Sequence, residues 1–185
     1  MSWGVGHLKG EPLTDTHESG VLYFLCGRAG AGKTTLATQM SQELRAILFC
    51  EDQWLARLFD SITTLAEYLE RRGRLRRLWV EYVPAVLASG HSVVFDFGGN
   101  TERDRAWVRS VFESAGARHE LHFIVADTPL CRWRIHERNR TKPAGIYWGD
   151  VSDELFDAVN VHFQPPTVEE GFTVVEHIAK QDRYT

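Results

Sequence analysis

Between an apolar, β-favouring run, Val21-Leu22-Tyr23-Phe24-Leu25-Cys26, and a helix-compatible run from Thr35 onward lies Gly27-Arg28-Ala29-Gly30-Ala31-Gly32-Lys33-Thr34. The segment is a full match to G-x-x-x-x-G-K-[ST], the phosphate-binding loop or P-loop, in the strand–loop–helix setting such a loop needs. Each residue type has a physical reason. Gly27, Gly30 and Gly32 let the backbone take positive φ and approach an anion with no Cβ in the way. Successive N–H groups then converge on the anion at the positive end of a helix. The expected phosphate contacts are Gly27, Arg28, Ala29, Gly30, Ala31, Gly32, Lys33, Thr34 and Thr35. Lys33 supplies a point charge for the outer phosphates, and Thr34 a hydroxyl ligand for Mg²⁺. A glycine-rich turn that matches by chance is the alternative; the complete pattern and its flanks argue against it.

Composition narrows the setting. The chain has 185 residues, 43% hydrophobic and 25% charged, enough for one domain with a sizeable core. A formal net charge of -4 means no global basic field for nucleic acid, although local basic patches stay open. Cys26, Cys50 and Cys131 form no C-x-x-C pair and lack metal-ligand spacing, which fits thiols in a reducing cytosol and a cytoplasmic protein. The eight histidines make no H-x-x-x-H pair, so zinc is not indicated. No apolar run approaches the ~20 residues of a membrane span. Residues 1–19 lack the apolar stretch of a signal peptide and read as a loose tail before a single domain over 20–185.

From residue 21 onward, strand and helix signals alternate. Strands are predicted at 21–27, 46–50, 92–97, 121–126 and 172–178. Helices are predicted at 32–44, across 53–89, from 101 to about 116, at 129–140 and at 152–163. Within 53–89, Gly73 marks a break, Thr64 with Glu67 resembles a capping box, and Pro84 marks a kink. Thr101 and Ser152 are placed to cap their helices. Short apolar strands separated by helices imply an α/β protein, a parallel sheet covered on both faces.

Three further clusters carry chemistry. Glu51-Asp52 closes the second strand, and ligands of open α/β sheets gather at the carboxyl ends of strands. Asp52 suits the carboxylate that orients an acceptor hydroxyl and takes its proton; alternatively Glu51 or Asp52 caps the next helix. Glu51 is the weaker catalytic candidate, because its side chain should project to the other side of the strand. Asp96 ends the third strand as an acid that holds Mg²⁺ or substrate, followed by Gly98 and Gly99, which permit close approach to a ligand or simply make a turn. On 129–140, Arg134 and Arg138 share one helix face at i, i+4 spacing among Arg132 and Arg140. They read as donors to a migrating phosphate from a lid over about 129–150, with Gly145 and Gly149 as hinges; the alternative is a solvated basic face. Arg71, Arg72, Arg74, Arg76 and Arg77 read as a solvated helical face, with an acidic or nucleic-acid ligand as the alternative. Trp54, Trp79, Trp107, Trp133 and Trp148 read as core or lid packing, Trp54 also as a pocket wall.

Together, residues 27–34, Cys50-Glu51-Asp52-Gln53-Trp54, Val94-Phe95-Asp96-Phe97-Gly98, Arg134-Ile135-His136-Glu137-Arg138-Asn139 and Phe163-Gln164-Pro165-Pro166 resemble the bacterial predicted P-loop kinases. These form an AAA-like ATP-binding family near chloramphenicol phosphotransferase, polynucleotide kinase and zeta toxins. The resemblance spans residues 21–178. It implies a three-layer P-loop NTPase fold with a five-stranded parallel sheet in the order 2-3-1-4-5 and a helical lid. It also implies ATP with Mg²⁺ as phosphoryl donor, Asp52 as general base, and Arg138 with Arg134 as lid arginines. Several relatives carry Arg three residues after the base, where this chain has Leu55, a departure that weighs against a polynucleotide acceptor. The expectation is a cytoplasmic kinase, monomer or dimer, that phosphorylates a small-molecule hydroxyl. Its rivals are a polynucleotide or nucleotide 5′-kinase and an ATP-binding regulatory module with slow hydrolysis. No N-K-x-D segment specifies guanine.

Overall fold

The computed structural model describes residues 18–59, 64–97, 99–144, 147 and 149–179. Most of the expected tail, Gly98, Gly145 and Trp148 lie outside the described residues. The elements run β1 (Val21–Cys26), α1 (Lys33–Glu43), β2 (Ile47–Cys50), α2 (Glu51–Leu58), α3 (Leu65–Ala88) and β3 (Val93–Asp96). Then follow α4 (Glu102–Ser114), β4 (Arg118–Val125), α5 (Thr128–Thr141), α6 (Asp153–Asn160), a 3₁₀ turn at Val168–Glu170, and β5 (Val174–Ile178).

The strands form one five-stranded sheet in the order β2-β3-β1-β4-β5. Every pairing is parallel. β1 is central because it is apolar on both faces: Leu22, Phe24, Leu25 and Cys26 are all buried. The chain leaves β1 for β2 on one side and later returns to β4 on the other. The carboxyl end of β1 is therefore the switch point, where a crevice opens. Register brings Cys50 opposite Asp96 at that edge.

Two cores flank the sheet. On one face α3 and α4 cover an aromatic cluster of Phe24, Trp79, Phe95 and Phe97, with Phe49, Trp54 and Trp107 packed against it. Trp79 stacks on Phe95 with centroids 5.7 Å apart, and Trp54 stacks on Phe49 at 5.5 Å. On the other face Ala37 and Met40 of α1, Cys131 and Ile135 of α5, and Phe156 of α6 pack against Leu25, Val94 and Ile124.

The break expected at Gly73 is absent: α3 runs unbroken through it, and onward through Pro84. Leu75, Trp79, Val83 and Leu87 repeat every fourth residue and are all buried. Burying that stripe outweighs the ~1 kcal/mol that one glycine costs a helix. The Thr64/Glu67 capping box forms, and Thr101 and Ser152 cap as expected. No helix among the described residues is long and apolar enough to cross a membrane.

One residue that the sequence does not advertise ties the layers together. Arg105 of α4 is fully buried. Its guanidinium reaches both carboxylate oxygens of Glu170 at 2.7 Å, the Gly99 carbonyl at 3.1 Å and the Gln164 carbonyl at 2.8 Å. Truncating it leaves two carbonyls and a carboxylate without their donor. Arg105→Ala is expected to lower folding stability by roughly 3–5 kcal/mol in urea unfolding. An unchanged transition would mean that water replaces the guanidinium.

Candidate active site

The P-loop joins β1 to α1 with Gly30 at φ 81 and Gly32 at φ 107, left-handed conformations that exclude most side chains. A Cβ on Gly30 would stand 2.3 Å from the Cys131 carbonyl oxygen, because the start of α5 rests on the loop. Side chains from elsewhere hold the loop's first half. Asn100 accepts from the Gly27 N–H at 3.1 Å and Asn160 from the Ala29 N–H at 3.0 Å. The Arg28 guanidinium lies 4.7 Å over the Phe163 ring. The second half is open. Gly32 is the N-cap of α1 and supplies no side-chain cap, so no capping side chain takes the first amides of that helix. α2 also begins without a side-chain cap, at Cys50. The capped helices α3, α4, α5 and α6 use Thr64, Thr101, Asp127 and Ser152.

Lys33 bridges this loop, donating to the Gly27 carbonyl at 2.6 Å and the Arg28 carbonyl at 3.0 Å. Burial pushes its pKa below the usual lysine value, and the carboxylates of Asp96 and Asp52 pull it back. The Thr34 hydroxyl donates to Asp96. Asp96 is only 5% exposed and also accepts the Cys50 thiol at 3.2 Å. Its burial raises its pKa, opposed by the Cys50 and Thr34 hydrogen bonds and the Lys33 charge.

Asp52 stands in the first turn of α2, half-buried. Burial, then the neighbouring charges of Glu51 and Asp96, push its pKa up to about 6, against the pull of Arg138 and Lys33. The expected capping alternative does not hold: the helix starts at Glu51, and neither acid is the N-cap. Arg138 faces Asp52 and Tyr147, and its Nε has no hydrogen-bond partner among the described residues. Arg134 lies along the loop and donates to the Ala31 carbonyl at 2.8 Å. Arg132 pairs with Asp153 and Asp157, and Arg140 with Glu137. One helix thus sends its arginines to two fates, and the i, i+4 pair faces the crevice.

The segment 129–150 divides likewise. α5 buries Leu130, Cys131 and Ile135. The Asn139 amide clasps both the carbonyl and the N–H of Val151, at 2.9 and 3.2 Å.

The basic run on α3 corrects its reading as a solvated face. Arg72 and Arg76 point inward, both bonded to Glu51 and to Asp104. Arg76 also lies 5.1 Å over Phe97 and 5.0 Å over Trp107. Arg74 does sit outside, paired with Glu70.

A groove of about 400 Å³ runs beside the loop, lined by Gly32, Thr35, Gln39, Arg134, Ile178 and Ala179 among others. Its wall after β5, and the anchors Asn100 and Asn160, carry no local sequence signal, because they meet the loop only through the fold.

Residues 22–166 match the family described as AAA domain. The chain belongs to that family. A curated relative, the Aeropyrum pernix "Probable adenylyl-sulfate kinase", is 27% identical over 158 residues, covering 80% of each chain. Among solved structures, a candidate kinase from Chloroflexus aurantiacus superposes with a TM-score of 0.71 at 17% identity, covering 87% of this chain and 86% of that one. The Mycobacterium tuberculosis APS kinase CysC, solved with AMPPNP and APS, gives 0.59 at 19%, covering 89% and 91%. The shared fold is the α/β P-loop NTPase fold expected from the sequence.

The loop geometry makes a direct prediction. Gly30→Ala combines a left-handed φ with a clash against the Cys131 carbonyl, so α5 must move off the loop. ATP affinity, measured by calorimetry, is expected to fall at least roughly tenfold, the scale of one or two lost amide contacts to a charged ligand. Wild-type affinity in that variant would show that the loop tolerates the shift.

Proposed function

We propose that this chain is an ATP-dependent phosphotransferase that moves the γ-phosphate of ATP to a hydroxyl of a small molecule. The observation that carries the reading is Asp52, a half-buried carboxylate grouped with Lys33 and Arg138 at the mouth of an uncapped P-loop. The names of the relatives as kinases support it.

In this reading the amides of Gly30 and of Gly32 to Thr35 receive the β- and γ-phosphates, and the adjacent groove holds the nucleoside. Lys33 exchanges its two carbonyl partners for phosphate oxygens. Arg134 and Arg138 supply donors for charge on the migrating group. Asp52 accepts the proton of the acceptor hydroxyl as its oxygen bonds to the γ-phosphorus. The bond to the β-phosphate oxygen breaks, and its electron pair leaves with ADP. Thr34 and Asp96, a hydroxyl and a carboxylate already in contact, are hard oxygen donors that fit Mg²⁺. No cluster of three His, Cys, Asp or Glu fit for a metal occurs among the described residues. Mg²⁺ would supply charge neutralisation on the phosphates. The case for a nucleic-acid acceptor is weakened, since Arg72 and Arg76 of the basic run are neutralised internally by Glu51 and Asp104.

The test is a panel of hydroxyl compounds (sugars, nucleosides and adenylyl sulfate) incubated with γ-labelled ATP. Asp52→Asn is expected to keep ATP binding and lose transfer by roughly 10²–10⁴. The pH dependence has a definite sign. Asp52 acts as a base only when ionised, so turnover rises as pH passes upward through about 6. A folded pKa above the unfolded value means that Asp52's contribution to stability is fully present in acid and lost as pH rises through about 6. Asp52→Asn should therefore melt at the same or a higher temperature at pH 8. Full transfer in that variant removes Asp52 from the chemistry.

Arg138 gives a second prediction. Its unpartnered Nε and its place opposite Asp52 suit a donor used mainly in the transition state. Arg138→Ala is expected to lose more in kcat than in ATP affinity. Equal losses in both would assign Arg138 to ground-state binding.

A further inference from the structure

Glu51 is the most enclosed acid of the crevice, 3% exposed, and it points away from the phosphate loop. Its carboxylate accepts the Tyr68 hydroxyl at 3.0 Å, the Arg72 Nε at 3.1 Å and the Arg76 Nε at 3.3 Å, all from α3. The same guanidiniums reach Asp104 on α4, at 3.2 Å from Arg72 and 2.6 Å from Arg76. Asp104 is held in turn by the Thr101 hydroxyl at 2.9 Å. Two carboxylates and two guanidiniums therefore neutralise one another where α2, α3 and α4 meet. This is an expensive arrangement for a joint that apolar residues fill well. α2 is short, eight residues, and has no side-chain cap of its own. Of its side chains Glu51 and Leu55 are buried and Trp54 packs on Phe49 and Trp79, so within the first turn Glu51 supplies the polar anchor at the helix start beside the aromatic contact of Trp54. The residue after Glu51 in that turn is Asp52.

We propose that Glu51 is a positioning residue for Asp52: gripped by Tyr68, Arg72 and Arg76, it locks the first turn of α2 so that the Asp52 carboxyl stays at the mouth of the phosphate loop. The inference rests on Asp52 being the group that takes the acceptor's proton. Adjacent residues in a helix turn point about 100° apart, so one acid is anchored in the helical layer while its neighbour faces the crevice. The anchor removes the rotational freedom that an uncapped helix end would otherwise keep. Reactions held to near-attack geometry are sensitive to displacements of this kind.

The test uses the full chain with magnesium ATP. Phosphate release to water and transfer to the hydroxyl panel are followed beside ATP calorimetry. Glu51→Gln is expected to lower turnover roughly 10–100-fold, with ATP affinity within about twofold. Tyr68→Phe removes one hydroxyl donor and keeps the ring, so it folds even if Glu51→Gln does not; its turnover is expected to fall several-fold. In an Asp52→Asn background, neither change should lower turnover further, because both act through Asp52. A protein with Glu51→Gln or Tyr68→Phe at full turnover, while Asp52→Asn has lost it, overturns the positioning role and leaves the role of Asp52 standing. A loss of the same size in the Asp52→Asn background overturns it as well. Full turnover in Asp52→Asn fails the reading of Asp52, and the role of Glu51 falls with it.

Discussion

An anion site made of backbone amides works only if those amides are kept from finding other partners. Here the loop achieves this by division of labour. The Gly27 and Ala29 N–H groups are taken by Asn100 and Asn160, and the Ala31 N–H closes on the Arg28 carbonyl. The first turn of α1 is left without a side-chain cap. The glycines allow the shape, but the asparagines and the packing of α5 against Gly30 hold it. Arg105 supports this arrangement from behind, since it grips Gly99 and Gln164 on either side of the Asn100 anchor. Core architecture and site therefore share one network.

The same crevice concentrates charge at a cost. Burial works against the ionised forms of Lys33, Asp52 and Asp96 alike. Each is tolerated because the others stand near it: lysine and arginine oppose the rise at Asp52, and the carboxylates oppose the fall at Lys33. Such mutual compensation is expected where stability is traded for reactivity. The Glu51–Asp104–Arg72–Arg76 cluster differs in kind. Its two carboxylates and two guanidiniums balance in charge and face the helical layer, although one Arg76 Nη is buried without a hydrogen-bond partner among the described residues.

Arginine shows how little residue type says without position. Arg132 and Arg140 make surface ion pairs, Arg134 lies on the phosphate loop, Arg138 faces Asp52, and Arg105 is wholly internal. A guanidinium on a long stem can serve in each of these places. Spacing separated Arg134 and Arg138 from their neighbours, since i, i+4 residues share a face. It was silent on which face of α3 turns inward, so Arg72 and Arg76 depart from the solvated face while Arg74 and Arg77 lie on it.

Local chemistry was therefore enough for the strand–loop–helix motif, the alternation of strands and helices, the caps at Thr64, Thr101 and Ser152, the acids that follow β2 and the acid that ends β3. These depend on residues within a few positions of one another, where glycine φ, capping hydroxyls and apolar runs act directly. The strand order was anticipated through family resemblance, because the pattern of elements alone does not choose the neighbours of β1. Tertiary structure decided the rest. It ran α3 through Gly73 by burying a four-residue repeat, turned Glu51 into an internal anchor, and brought Asn100, Asn160 and Ala179 to the loop from 73 or more residues away. Contacts of that range leave no periodic trace in a sequence, since they are set by which surfaces pack, and only the folded chain brings those surfaces together.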